Sequence, residues 1–248
     1  MTSAVPIRLD NLTVAYRGHP AVHHLSGEFA PGSLTAVVGP NGAGKTSLLA
    51  AIMGRLRPAE GEVRIDAGLR GRIAWLPQQA EVDRSFPIRV FDVVALGHWG
   101  SLGSFRGMTS AQRDEVLRAL DAVGLAGFGR RSISELSAGQ FQRVLFARVL
   151  LQDAPVILLD EPFNAIDART TADLLAVVAR WHAEARTVIA VLHDLDQVRA
   201  HFSRTLLLAR RCVAWGPTAE VLHAENLFKA RRMAEGWDDD APVCREAA

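Results

Sequence analysis

Lysine is nearly missing from this chain: Lys45 and Lys229 are the only two, and arginine supplies the rest of the positive charge. Cysteine is scarce as well. Cys212 and Cys244 stand far apart and form no CxxC pair, which argues against a disulfide scaffold and fits a reducing compartment. Neither sign of charge is in surplus, with 28 Lys+Arg against 27 Asp+Glu for a net +1. The basic excess that binding to a phosphate backbone exploits is absent, so nucleic acid is not an expected partner. No apolar run approaches the ~20 residues that a membrane-spanning helix needs. Runs such as Val156–Leu159 and Val188–Leu192 are the size of strands. Met1 to Arg8 has no basic region leading into an apolar one, so export is not expected. What remains, 49% apolar and 22% charged residues, suffices for a sizeable core in a soluble globular protein.

Ile7, Leu9, Leu12, Val14 and Tyr16 alternate loosely as a strand up to Gly18-His19-Pro20, and a second strand is expected from His24 to Phe29. The two form an antiparallel flank. Leu34–Val38 reads as a short buried strand that runs straight into a glycine-rich loop. Leu48, Leu49, Ile52 and Met53 then recur at helical spacing until Gly54. Val156–Leu159 and Val188–Leu192 are further buried strands, ending in Asp160-Glu161 and His193-Asp194. Strands alternating with helices predict an α/β fold, a phosphate-loop NTPase core with a mainly parallel sheet and an antiparallel N-terminal β flank. From about 82 to 146 the patterning turns helical: Thr109 and Gln112 form a capping box, and Val116, Leu117, Leu120 and Val123 follow on one face up to Gly124. An inserted α-helical subdomain is expected there. The core then comprises 1–81 and 147–225, and 226–248 is a C-terminal tail with no periodicity from Trp237 onward.

Gly39-Pro40-Asn41-Gly42-Ala43-Gly44-Lys45-Thr46 matches GxxxxGK[ST] in full. Its glycines let successive backbone N–H groups converge on phosphate oxygens, and the helix that follows adds its positive N-terminus. Lys45 is expected on the β and γ phosphates, the Thr46 hydroxyl on Mg²⁺, and Ser47 near the α-phosphate. Asp160 and Glu161 end a buried strand, where open α/β sheets bind ligands. Asp160 suits the hydration shell of Mg²⁺ and Glu161 the general base that polarises an attacking water. His193 ends the next strand on the same edge, within plausible reach of a γ-phosphate. Ser137 and Gln140 of Leu136-Ser137-Ala138-Gly139-Gln140 form a second capping box, opening a helix whose apolar side carries Val144, Leu145 and Val149. That N-terminus is a second anion site. One monomer has no use for two on one triphosphate, whereas two monomers packed head to tail close each nucleotide between them; an ordinary well-capped helix is the alternative.

In this order the motifs resemble those of the nucleotide-binding subunit of ABC transporters, over Tyr16 to about Glu225. The resemblance implies that Tyr16 stacks on adenine, that Gln78 is the Q-loop glutamine and reaches Mg²⁺, and that Ser137, Gly139 and Gln140 belong to the signature. It also implies that Asp167 closes the D-loop Asn164-Ala165-Ile166-Asp167 and that His193 is the switch histidine. Ala138 and Asn164 depart from the usual glycine and frequent serine. A homodimer holding two ATP with Mg²⁺ is implied, driving integral-membrane permease subunits from the cytoplasmic face of the inner membrane. The run from Trp75 to His98 is similar to subunits that power zinc, manganese and iron importers, which implies import of a transition metal ion, zinc or manganese first, delivered by a periplasmic or extracellular metal-binding protein. Iron chelates or cobalamin are the alternative cargo. A soluble ABC ATPase of DNA repair or translation is the alternative function, but it usually carries a coiled-coil insertion or two nucleotide-binding domains, and neither stands between Gln78 and Ser137. His23-His24 should point to opposite sides of a strand and share no ion, and Asp238-Asp239-Asp240 with Cys244 reads as a solvated tail.

Overall fold

The computed structural model describes residues 6–16, 19–69, 71–78, 86–102 and 107–235. Two sheets organise them. Strands β1 (Ile7–Tyr16) and β2 (His19–Phe29) form a hairpin, and β4 (Glu60–Arg64) pairs on the other side of β1, giving an antiparallel sheet of order β2-β1-β4. The main sheet has the order β5-β6-β7-β3-β8-β9. It comprises β3 (Leu34–Val38), β5 (Ile73–Leu76), β6 (Val156–Asp160), β7 (Thr187–Val191), β8 (Arg204–Ala209) and β9 (Arg211–Pro217), parallel throughout except for the antiparallel β8–β9 hairpin.

Helix α1 (Lys45–Ile52) follows β3. Helices α2 (Val90–Ala95), α3 (Trp99–Leu102), α4 (Ser110–Ala122) and α5 (Ala138–Leu151) lie between β5 and β6. Helix α6 (Ala168–Ala183) links β6 to β7, α7 (Leu195–His201) links β7 to β8, and α8 (Thr218–Val221) and α9 (Ala224–Glu235) follow β9.

Buried strands with apolar residues at nearly every position feed two cores through the period of two along a strand. Ala36, Val38, Ile157, Leu159, Val188, Ala190 and Leu207 face a core built with α5 and α6. Val37, Val156, Leu158, Ile189, Val191, Leu206 and Leu208 face the opposite one, with α1 and the antiparallel flank. In the first, Phe146 of α5 stacks on Trp181 of α6, ring centroids 5.7 Å apart and 5° from parallel. Both rings are fully buried. Truncating either to alanine should cost about 3–5 kcal/mol, so this stack fixes α5 against the layer that carries the strand ends.

The structure alters several expectations. Strand β2 starts at His19, not His24, because Pro20 sits on an edge strand, where a missing N–H costs no ladder bond. His24 has φ 49° at a bulge opposite Thr13, so the two histidine rings do not diverge; their centroids are 4.1 Å apart. The buried His23 ring accepts from Arg211 Nε at 2.9 Å and His24 Nδ1 pairs with Asn11 Oδ1 at 2.8 Å, and among the described residues no metal-holding group of three or more forms. Leu117 turns away from Val116 and Leu120 and is 48% exposed. Helix α5 runs on past 146, and the segment from 226 opens inside α9, which packs on β8 and β9. Residues 79–85 and the acidic run of 238–240 with Cys244 lie outside the described residues.

Candidate nucleotide site

Strand β3 delivers the chain into the glycine-rich loop at the carboxyl edge of the main sheet. Gly39 and Gly44 have φ 154° and 89°, and a Cβ at either would collide with a backbone carbonyl oxygen, Leu208's or Ala21's. Only glycine fits both positions. Gly44 is also the N-cap of α1 and offers no side-chain acceptor, so the first N–H groups of that helix are left for a ligand. Lys45 is 6% exposed and folds back over the loop, its Nζ donating to Gly39 O at 3.0 Å and Pro40 O at 2.9 Å. Burial lowers its pKa, against the pull of Glu161 and Asp160. Asn41 and Gly42 are exposed at the tip, while Ala43 and Ser47 are buried beneath it.

Asp160 ends β6, is 1% exposed, and has no hydrogen-bond partner for either carboxylate oxygen. Burial raises its pKa and Glu161 adds to the rise. The neighbouring hydroxyl of Thr46 draws it back together with Lys45 and His193. A buried acceptor pair with nothing to accept from is costly unless a cation or its waters complete it. Two carboxylate oxygens beside a hydroxyl are the hard donors that suit Mg²⁺.

Glu161 is the meeting point of three separate segments. Its Oε1 lies 2.6 Å from His193 Nε2, at the end of β7, and its Oε2 accepts from Gln78 Nε2 at 2.7 Å, just past β5. Asn164 Nδ2 also reaches Oε2, at 3.3 Å. The residue is held with φ 50°, a conformation a non-glycine residue rarely adopts and one that clusters at functional sites. Its N–H is tied to Val191 O at 3.1 Å, which locks the turn to the neighbouring strand.

The second capping box forms as well: Ser137 Oγ accepts from Gln140 N–H at 3.2 Å and Gln140 Oε1 accepts from Ser137 N–H at 3.0 Å. Ser137 and Ala138 are exposed, so the extra methyl of Ala138 meets solvent. Gly139 is buried instead, and a Cβ there would press to 3.2 Å on Thr170 Oγ1 and 3.4 Å on Asp167 Oδ2. Asp167 caps α6, its carboxylate accepting from Thr170 N–H at 2.9 Å and Thr170 Oγ1 at 2.8 Å, and those bonds lower its pKa.

Of the residues picked from sequence, Lys45, Thr46, Gln78, Asp160, Glu161 and His193 converge. Ser137, Gly139, Gln140 and Asp167 form a separate group that bonds to none of them. Tyr16 closes β1 opposite His19, and its ring lies outside the described side chains. Sequence reasoning missed Gln142, whose Nε2 donates to Pro162 O at 2.7 Å, and Arg143, which binds Asp173 at 2.6 Å and Val123 O at 2.9 Å. They fasten α5 to the loop after Glu161 and to α6. Their places on the polar side of a capped helix were the only signal.

The family model described as ABC transporter matches residues 22–164. The zinc transport system ATP-binding protein TroB of Treponema pallidum (strain Nichols) is 40% identical over 232 residues, 92% of this chain and 87% of that protein. The manganese transport system ATP-binding protein MntB of Bacillus subtilis (strain 168) is 39% identical over 228 residues, 90% and 91% respectively. Among solved structures, an inward-facing transporter assigned to the metal-chelate type superposes with a TM-score of 0.80 at 29% identity, over 90% of this chain and 88% of that one. A dimeric bacterial ABC transporter cassette, 26% identical, superposes with a TM-score of 0.75 over 86% and 98%. The matched family region contains the loop, the signature and Glu161 alike, and the chain belongs to the ABC transporter family.

Proposed function

We propose that this chain hydrolyses ATP to energise the import of a transition metal ion, zinc or manganese, through partner permease subunits. The observation that carries the ATPase reading is the convergence of Gln78 and His193 on Glu161 beside the unpaired Asp160. The cargo rests on the relatives, which are named for zinc and manganese transport.

Triphosphate binding would draw Lys45 from its two carbonyls onto the β and γ phosphates, with the uncapped start of α1 and the backbone from Gly39 to Gly44 cradling the rest. Thr46, Asp160 and Gln78 would hold Mg²⁺, which supplies neutralisation of the phosphate charge. Glu161 then takes the proton of the attacking water, and His193 steadies charge on the departing γ-phosphoryl group. Tyr16 is the proposed adenine platform, and Ser47 the contact near the α-phosphate.

Ser137, Gly139 and Gln140, exposed or presented at the start of α5 and unused by their own loop, suit the nucleotide of a second copy in a head-to-tail homodimer, with Asp167 setting the approach. The α/β core and the helical subdomain would then part at the ends of α5 and not within it.

Permease subunits would sit in a groove of about 710 Å³ beside α2 and α4, lined by Phe91, Leu96, Trp99 and Leu117 together with Arg89 and Arg113. Trp99 is 71% exposed there. No helix among the described residues is long and apolar enough to cross a membrane, so attachment at the cytoplasmic face of the inner membrane would come through those subunits, supplied by an external metal-binding protein. Purification of the chain with its membrane partners, followed by metal-stimulated ATPase measurement in vesicles, tests the reading. Recovery with ribosomes or DNA and with no integral membrane protein overturns it.

A further inference from the structure

The geometry points to Asn164 as the residue that positions the Glu161 carboxylate for proton transfer, an inference resting on the proposed role of Glu161 as base. Asn164 is tied to Glu161 twice: its N–H donates to Glu161 O at 3.3 Å, and its Nδ2 reaches Oε2 at the same distance. The reverse amide orientation would set its oxygen against the carboxylate, so the donor faces inward. The other two donors on Glu161 have second tasks. In the proposed reaction Gln78 turns to Mg²⁺ and His193 to the γ-phosphate. Asn164 has no such task and stays with Oε2 throughout. Loss of His193 from Oε1 then frees that oxygen, and Oε1 becomes the atom that takes the proton from water. The carboxylate also faces Lys45 of α1, Asp160 of β6 and His193 after β7. Against those charges Asn164 contributes a neutral donor, which orients the base without draining its charge.

Three substitutions, assayed as steady-state ATPase of the purified chain, test this. For Asn164→Ala, kcat should fall about ten-fold with KM for ATP unchanged, as expected for one lost hydrogen bond to a charged group. For Asn164→Asp, which sets an acceptor where Oε2 needs a donor, kcat should fall at least as far as in the alanine variant, again with KM unchanged. Asn164→Ser, which keeps a short donor, should recover part of the alanine variant's loss. Turnover within about two-fold of wild type in the alanine variant, for which even a weak neutral bond is too large, overturns the proposal. So does an aspartate variant that turns over at the wild-type rate. Glu161→Gln keeps the two failures apart: wild-type turnover there removes the base itself, whereas an inactive Glu161→Gln beside silent Asn164 variants removes only the positioning role.

Discussion

Replacing Asp160 with asparagine should make the empty protein more stable and the nucleotide-loaded protein less so. Asp160 is 1% exposed and neither of its oxygens is partnered, and its pKa is raised above the ordinary 3.8, chiefly by burial. A native carboxyl that holds its proton more tightly than the unfolded chain destabilises the fold as pH climbs above 3.8, and the full penalty persists above the raised native value. Wild-type protein near neutral pH therefore carries that penalty. A neutral amide of the same shape removes the buried charge and retains the smaller cost of an unpaired polar group, a gain of about 1–3 kcal/mol. For a chain of this size each kcal/mol moves Tm by about 2–4 °C, so the metal-free, nucleotide-free variant should melt several degrees higher. Mg-ATP at a hundred times its Kd should add about 2.7 kcal/mol to wild type and much less to the variant, which closes most of the gap and reverses the order wherever the variant's gain is below that figure. Scanning calorimetry with and without Mg-ATP, in chelator for the empty state, reads both halves. An empty Asp160→Asn protein that melts at or below wild type refutes the unpaired-charge argument. An equal Mg-ATP shift in both proteins refutes the metal role.

Lys45→Ala should reduce ATP turnover by about a hundred- to a thousand-fold, as loss of a preorganised donor at the reacting group does; turnover near wild type in a phosphate-release assay contradicts the loop's role. For Glu161→Gln, equilibrium dialysis should find ATP bound while kcat drops by about 10²–10⁴, and size-exclusion chromatography with ATP should find a closed dimer; an all-monomer profile at saturating ATP counts against the two-copy site. Ser137→Arg should block hydrolysis yet leave monomeric ATP binding intact, so a weakened Kd in the monomer places the signature on the wrong nucleotide. Ser137→Ala, which loses only the cap, should lower stability by about 1 kcal/mol, measurable by urea unfolding.

Features set by neighbours in sequence were legible before the structure. The strand, glycine loop and helix of residues 34–52 and both capping boxes are local, and each formed where its residues stand. Leu117 was misread because a helical face inferred from spacing alone is too broad by about one residue's angle. The bulge at His24 depends on pairing with β1, and the early start of β2 on its being an edge, neither of which the local run of residues encodes. In the site, Glu161 and His193 follow from strand ends, but their contact does not. Gln78 precedes Glu161 by 83 positions and His193 follows it by 32, and the sheet order β5-β6-β7 is what brings the three together. Asn164 stood in the motif only as a departure from serine, and its amide had no assignable partner until the turn after β6 was seen to curl back.

Lys45 folded onto Gly39 and Pro40 braces the loop from within. An incoming ligand must displace two carbonyls already in place, so observed affinity is a difference between two occupied states rather than the filling of a void. Weakly charged anions such as chloride or a monophosphate win that exchange poorly, and a triphosphate wins it well.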